Sequence, residues 1–278
     1  MVNPEMRDGN SGRNPANGNP RNHRKVRRRT MPPPIEAIAV DYYRTLTGKD
    51  RREPTGYLIR EILLSVFEVP TTAAFADDFD LAKPLAYADP VAGSIPALLK
   101  ATAVRHGAEL PDMNRLIAEI WTRVGDHPLD GRAVQAAQDL HQLGWPLVLA
   151  SNMVRPGRFR RRTLEDAGLG FMRLVCSSEV GYGKPDARFY EQVSRAAGVP
   201  PERILFVGDD RENDVLGPTK AGMQAAWIDN EADPDLTPAV AVDGTLVLSQ
   251  FSQLPGCFTT SPPGQITDLR RGPSDARA

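Results

Sequence analysis

Four short polar clusters carry the residue types in this chain that can do covalent chemistry. The first is Asp41-Tyr42-Tyr43-Arg44-Thr45-Leu46, directly after the apolar run Ile35–Val40. A carboxylate at a strand end can act as nucleophile or metal ligand, and amides in the following turn can hold an anion. The second is Ser151-Asn152, whose hydroxyl and amide can donate to anionic oxygens. The third is Lys184-Pro185-Asp186, where Lys184 can neutralise both a carboxylate and a substrate anion. The fourth is Gly208-Asp209-Asp210-Arg211-Glu212-Asn213-Asp214. Packing Asp209, Asp210 and Asp214 together is costly unless a cation sits there, and hard oxygen ligands suit Mg2+. Taken singly, each cluster also reads as a turn or a helix cap. Their order along the chain gives them weight.

Such groups need a rigid frame, and the sequence supplies one. Ile35–Asp41, Pro146–Asn152 and Ile204–Asp209 share one form, a short apolar segment ending in a polar residue. Leu174–Ser177, Ala225–Asp229 and Thr245–Leu248 are weaker members. These read as buried parallel strands with ligand groups at their carboxyl ends. Helical faces separate them: Val134, Ala137 and Leu140 before Gly144, then Phe189, Tyr190, Val193 and Ala197 before Gly198. Strand–helix alternation predicts a doubly wound α/β sheet, whose site lies beyond the carboxyl edge of the strands. Asp41, Ser151 and Asp209 all fall on that edge.

Between the first two strong strands lie about 80 residues with helical spacing only, too long for a connection. Leu58, Ile59, Ile62, Leu63, Val66 and Phe67 form one face, with Thr55 as its cap. Ile95, Leu98 and Leu99 form another, and Leu116, Ile117, Ile120 and Trp121 a third. The expected organisation is a core of residues 35–50 and 130–256 interrupted by a helical insertion over 51–129.

The 278 residues hold 34 Lys+Arg against 35 Asp+Glu and are 41% hydrophobic, an ordinary globular composition. No apolar run approaches the ~18–20 residues of a membrane span, and no apolar N-terminal stretch suggests a secretory signal. Cys176 and Cys257 cannot build a disulfide framework. A cytoplasmic protein is the expectation. The near-zero net charge hides an asymmetry. Residues 1–34 carry Arg7, Arg13, Arg21, Arg24, Lys25, Arg27, Arg28 and Arg29 against only Glu5 and Asp8. This basic, Asn/Gly/Pro-rich segment reads as a disordered tail, as do residues 257–278. It can approach nucleic acid or another acidic surface, but no aromatic residue interleaves its charges for stacking on bases.

The order Asp41…Thr45-Leu46, Ser151-Asn152, Lys184-Pro185-Asp186 and Gly208-Asp209…Asn213-Asp214…Ala221-Gly222 resembles the haloacid dehalogenase superfamily of hydrolases over roughly residues 35–255. The resemblance implies a Rossmann-like core with a helical cap after the first motif, and Mg2+-dependent phosphatase activity for most members. It implies Asp41 as nucleophile, with Thr45 and Ser151 contacting the transferring group and Lys184 balancing charge. It further implies Mg2+ held by Asp41, the Tyr43 backbone carbonyl and Asp209, with Asp210 and Asp214 supporting. Tyr43, Arg44 and Asn152 are then candidate substrate contacts. The substrate expected is a small anionic molecule.

The chain departs from that pattern at two points. Phosphatases of the superfamily mostly carry a second aspartate and then a glycine where this chain has Tyr43 and Arg44. A positioned general acid/base contributes on the order of 10²–10⁴ in rate, and a phenol with pKa ~10 replaces it poorly. Three readings follow: a phosphatase with a good leaving group or an acid from the cap, a metal-free 2-haloacid dehalogenase, or a binding protein that has lost catalysis. A dehalogenase needs a cap cation for the substrate carboxylate, for which Arg60 is available. At Gly217-Pro218, a proline within a helix is expected to kink it and displace Asp214. His106, His127 and His141 read as ordinary helix or loop residues, and Trp121, Trp145 and Trp227 as packing residues.

Overall fold

A computed structural model describes residues 33–88 and 94–258. The basic segment through Pro32 and the stretch after Phe258 lie outside the described residues; Cys257, expected to open the C-terminal tail, is instead buried in the core. The strands are β1 (Ala37–Val40), β2 (Leu147–Ser151), β3 (Arg173–Cys176), β4 (Ile204–Gly208), β5 (Gln224–Ile228), β6 (Ala239–Val240) and β7 (Leu246–Leu248). They form one seven-stranded sheet in the order β3-β2-β1-β4-β5-β7-β6. All neighbours pair in parallel except β6, which pairs antiparallel with β7 at the edge.

Successive strand residues feed opposite faces of the sheet. Ile38, Val40, Leu147, Leu149, Leu205 and Val207 enter one core, and Ala37, Ala39, Val148, Ala150, Ile204 and Phe206 enter the other. Helices cover both faces, which is why these strands read as continuous apolar runs. Val40 lies opposite Leu149 on one side and Val207 on the other. That register brings the residues after β1, β2 and β4 to one edge.

Between β1 and β2 come α1 (Gly56–Val66), α2 (Ala73–Ala88), α3 (Ile95–His106) and α4 (Met113–Val124), then α5 (Gly131–Gln142). Thr55 caps α1 by accepting from the Leu58 amide. Ser94 and Asp112 cap α3 and α4 in the same way. The four helices share an apolar core of their own, built around Ile59, Ile62, Phe75, Phe79, Leu99, Ile117, Ile120 and Trp121. Val154 and Phe159, from the sheet side of the chain, pack against it. Val66, expected on the apolar face, is exposed at the C-terminal end of α1. Val134 is only half-buried, and α5 instead turns Ala133, Ala136, Ala137 and Leu140 inward.

The two chains entering and leaving this insertion run side by side. Thr47 forms an antiparallel bridge with Leu129, and the Asp130 amide donates to the Leu46 carbonyl at 2.9 Å. The Arg52 amide donates to His127 Nδ1 at 2.8 Å. Tyr42 donates its hydroxyl to the His127 carbonyl at 3.0 Å. No helix among the described residues is long and apolar enough to cross a membrane.

After β2 follow α6 (Gly157–Asp166), α7 (Ser177–Val180), α8 (Ala187–Ala197) and α9 (Gly217–Lys220). At Gly217-Pro218 the backbone stays helical, with Leu216 and Gly217 both right-handed, and the disturbance falls in the turn before it. Residues Arg211–Leu216 wind as a single π-helical stretch, and Pro218 sits in the first turn of α9. Pro218 therefore lies inside a continuous helical run, where it offers no N–H, and the Gly217 amide before it bonds back to the Glu212 carbonyl. Asp214 is almost fully buried.

Candidate active site

Each cluster is delivered by a different strand end or helix entry. Asp41 is the first residue after β1, and its amide donates to the Val207 carbonyl of β4 at 2.9 Å. Ser151 closes β2, and Asp209 follows β4 directly. Lys184 arrives on the turn before α8, whose N-cap is Asp186. The fold brings Asp41, Lys184, Asp209 and Asp214 together although they span most of the sequence.

Lys184 is the centre of this cluster. Its ammonium lies 2.7 Å from Asp41 Oδ1 and 2.7 Å from Asp214 Oδ1, with its side chain only 3% exposed. Burial alone favours a neutral amine, but the two carboxylates outweigh it and hold the lysine protonated, with its pKa above the ordinary value. A buried charge is tolerated only when paired this closely. Burial pushes Asp214 upward, and Lys184 opposes that rise. Asp214 also accepts from the Asp210 amide at 3.0 Å through its other oxygen. Gly208 makes this approach possible, because any side chain there would run into the Asp214 carboxylate.

Asp209 is pushed up to about 6, first by burial and then by the neighbouring Asp41 charge, with Arg44 pulling the other way. Its carbonyl accepts the indole N–H of Trp227 at 3.0 Å. Trp227, expected only to pack, therefore fixes the backbone of a site carboxylate. Carboxylate oxygens of Asp41, Asp209 and Asp214 lie within 4.8 Å of one another. Three hard oxygen donors so close together match the preference of Mg2+.

The remaining residues divide. Thr45 is buried, and its hydroxyl has no hydrogen-bond partner among the described residues. Ser151 is also buried, and among the described residues its hydroxyl makes a long 3.5 Å contact to the Asn152 carbonyl. Both hydroxyls are thus available to a ligand. Asn152 was expected to touch substrate, but its amide is engaged otherwise. Its Nδ2 donates to the Lys184 carbonyl at 2.8 Å, and its Oδ1 accepts the Lys184 amide at 2.7 Å. It positions the lysine. Gly183 is required beside it, since a Cβ there would meet the Asn152 amide oxygen. Asp210 caps the π-helical turn by accepting from the Glu212 and Asn213 amides, so it supports the site through the backbone. Tyr43 turns its hydroxyl to the Lys49 carbonyl at 3.0 Å and its ring to His127.

Arg44 adopts φ 59°, in the left-handed region that favours glycine. Its Nε lies 3.3 Å from Asp209 Oδ2 and its Nη2 3.3 Å from Glu231 Oε1. Its half-exposed guanidinium is thus shared between two acids beside the acidic site.

A model of the haloacid dehalogenase-like hydrolases matches residues 36–222. The chain belongs to that family. Among curated relatives of this haloacid dehalogenase-like hydrolase, phosphoserine phosphatase of Thermus thermophilus is 35% identical over 144 residues, 48% of this chain and 57% of that protein. Glyceraldehyde 3-phosphate phosphatase of Methanothermobacter thermautotrophicus is 34% identical over 119 residues, 42% of this chain and 52% of that protein. The chain thus spans a little over half the length of these relatives. The solved 2-haloacid dehalogenase of Pseudomonas syringae pv. Tomato DC3000 superposes with a TM-score of 0.54 at 21% identity, covering 80% of this chain and 97% of that one. That likeness shows the fold.

Sequence reading missed a second buried charge cluster where the helical insertion rejoins the sheet. Asp126 receives Arg155 Nη1 at 2.8 Å, Arg160 Nη2 at 3.2 Å and the Thr163 hydroxyl at 2.8 Å. Arg155 also donates to the Trp121 carbonyl, tying α4 to the loop after β2. No local pattern marks these residues, because their partners are tens of positions away.

Proposed function

We propose that this haloacid dehalogenase-like hydrolase is a Mg2+-dependent phosphatase of small phosphorylated metabolites, acting through an aspartyl phosphate on Asp41. The observation that carries this reading is the close approach of the Asp41, Asp209 and Asp214 carboxylates around Lys184. Displacing halide from carbon calls for no metal, whereas these three carboxylates can hold one. Both curated relatives named above are phosphatases by name, which supports the same class.

In this mechanism an Asp41 carboxylate oxygen attacks phosphorus and the bond to the leaving oxygen breaks. Water then attacks the aspartyl phosphate at phosphorus, releasing phosphate and restoring the carboxylate. Lys184 holds Asp41 in place and offsets charge on the transferring group. The unpartnered hydroxyl of Thr45 donates to a phosphoryl oxygen, and Ser151 to another. Mg2+, held by Asp41, Asp209 and the Tyr43 backbone carbonyl, would supply charge neutralisation for the phosphoryl oxygens. Tyr43 supplies no acid of suitable pKa, so substrates with weakly basic leaving groups are favoured.

Tyr43 is also the observation that motivates a second reading, the metal-free 2-haloacid dehalogenase. Against it, Arg60 donates its Nε to the Thr71 carbonyl at 3.1 Å within the helical insertion, and Arg44 is paired with acids. Neither stands as a free clamp for a substrate carboxylate. A substrate panel tests the choice. Phosphate release from an aryl phosphate that requires Mg2+ and vanishes in Asp41→Asn is the expected result. Halide release from a 2-haloacid without metal would replace the phosphatase reading, and silence in both assays would favour a binding protein.

A further inference from the structure

The guanidinium of Arg44 stands at the acidic centre where a glycine is customary in relatives. It meets its two acidic neighbours differently. With Glu231, Nη2 makes a hydrogen bond of 3.3 Å to Oε1. With Asp209, Nε lies 3.3 Å from Oδ2, yet that buried N–H makes no hydrogen bond. The contact with Asp209 is therefore one of charge without a directed bond, and the contact with Glu231 is directed.

The backbone of Arg44 is fixed. Its amide donates to Thr47 Oγ1 at 3.1 Å, and its carbonyl accepts Asn230 Nδ2 at 3.0 Å. Only the side chain is left to move, and at 32% exposure it has room to do so. Lys184, by contrast, is enclosed between two carboxylates and cannot leave without stranding them. The acidic centre thus contains three carboxylates, one buried permanent cation and one displaceable one.

Resting on the metal site of the phosphatase reading, we propose that Arg44 and the divalent cation compete for Asp209, and that Glu231 receives the guanidinium when the cation binds. Arg44 is a positioning residue in this account. It fills part of the charge demand of the three carboxylates and lowers the affinity for metal. Glu231 offsets that competition by retaining the guanidinium through the bond it already makes. Lys49 reaches the same Glu231 oxygen at 3.3 Å, so this acceptor already serves two cations.

The test is the affinity of the full-length protein for Mn2+ alone, read from the free-ion electron paramagnetic resonance signal with no substrate present. Arg44→Gln is expected to tighten Mn2+ binding by about tenfold, the scale of one partly screened charge near the ion. Glu231→Gln is expected to weaken it several-fold. In the Arg44→Gln background, Glu231→Gln should lose most of its effect, because Glu231 acts through the arginine. Circular dichroism melts establish that each variant is folded, and Arg44→Gly supplies a second removal of the charge with a residue suited to the backbone. Unchanged or weaker Mn2+ binding in both Arg44 variants overturns the proposal while leaving the metal site intact. So does an undiminished Glu231→Gln effect in the double variant. Absence of Mn2+ binding in every variant overturns the metal assignment and this proposal together.

Discussion

The Lys184 ammonium lies 2.7 Å from the Asp41 carboxylate, joining residues 143 positions apart at the carboxyl edge of the sheet. The same ammonium binds Asp214, so removing it leaves two buried carboxylates facing each other. Lys184→Met is expected to cost about 3–5 kcal/mol of stability, the scale for breaking a buried pair. Turnover should fall by roughly 10²–10³ as the charge opposite the transferring group disappears. Urea denaturation and phosphate release check the two effects, and a variant as stable as the parent would refute the pairing.

Tyr43 occupies the place where a carboxylate would serve as acid, and its hydroxyl is turned toward the Lys49 carbonyl. Tyr43→Asp should raise kcat/KM for alkyl phosphates by about tenfold or more, within the range a general acid supplies. Aryl phosphates, whose leaving groups need little help, should gain far less. Equal change for both classes would place the acid elsewhere.

His127 links the two chains that enter and leave the helical insertion. Burial, then the neighbouring Arg160 charge, lowers its pKa below the usual 6.5, while Asp126 pulls upward and Arg155 and Arg51 downward. Its Nδ1 must be unprotonated to accept the Arg52 amide. The folded state therefore binds this proton less readily than the unfolded chain does. Its stabilising effect is complete above the unfolded value and is lost as pH falls from there through the folded one. Thermal melts should show a loss on acidification below about pH 6.5 that is smaller in His127→Asn. The same slope in both proteins would remove His127 from the account.

Asp126 is the sole carboxylate contacting the buried guanidinium groups of Arg155 and Arg160 among the described ion pairs. Asp126→Asn keeps the shape and removes the charge, leaving both cations uncompensated. A loss of about 3–5 kcal/mol in urea denaturation is expected. A change below about 1 kcal/mol, the scale of an exposed pair, would show that solvent reaches the cluster.

What could be read from the sequence was whatever the chain writes locally. The apolar runs before Asp41, Ser151 and Asp209 mark their strands because both sheet faces are buried. Thr55 and Gly198 mark helix ends because capping depends on neighbouring residues. Contacts across long separations left no such trace. Asn152 resembles a ligand donor until its two bonds to the Lys184 backbone are seen. Nothing near Asp126, Arg155 and Arg160 in sequence reveals their burial or their pairing. Pro218 was legible because proline acts on its own helix, and the turn before it is π-helical.

The central claim is a covalent bond between Asp41 and phosphorus, and chemical trapping tests it most directly. Borohydride reduces an aspartyl phosphate to homoserine, which peptide mass spectrometry can place. During Mg2+-supported turnover of an aryl phosphate, homoserine is expected at position 41 and nowhere else in the chain. Phosphate released while Asp41 stays unmodified, or homoserine at another aspartate, would contradict it.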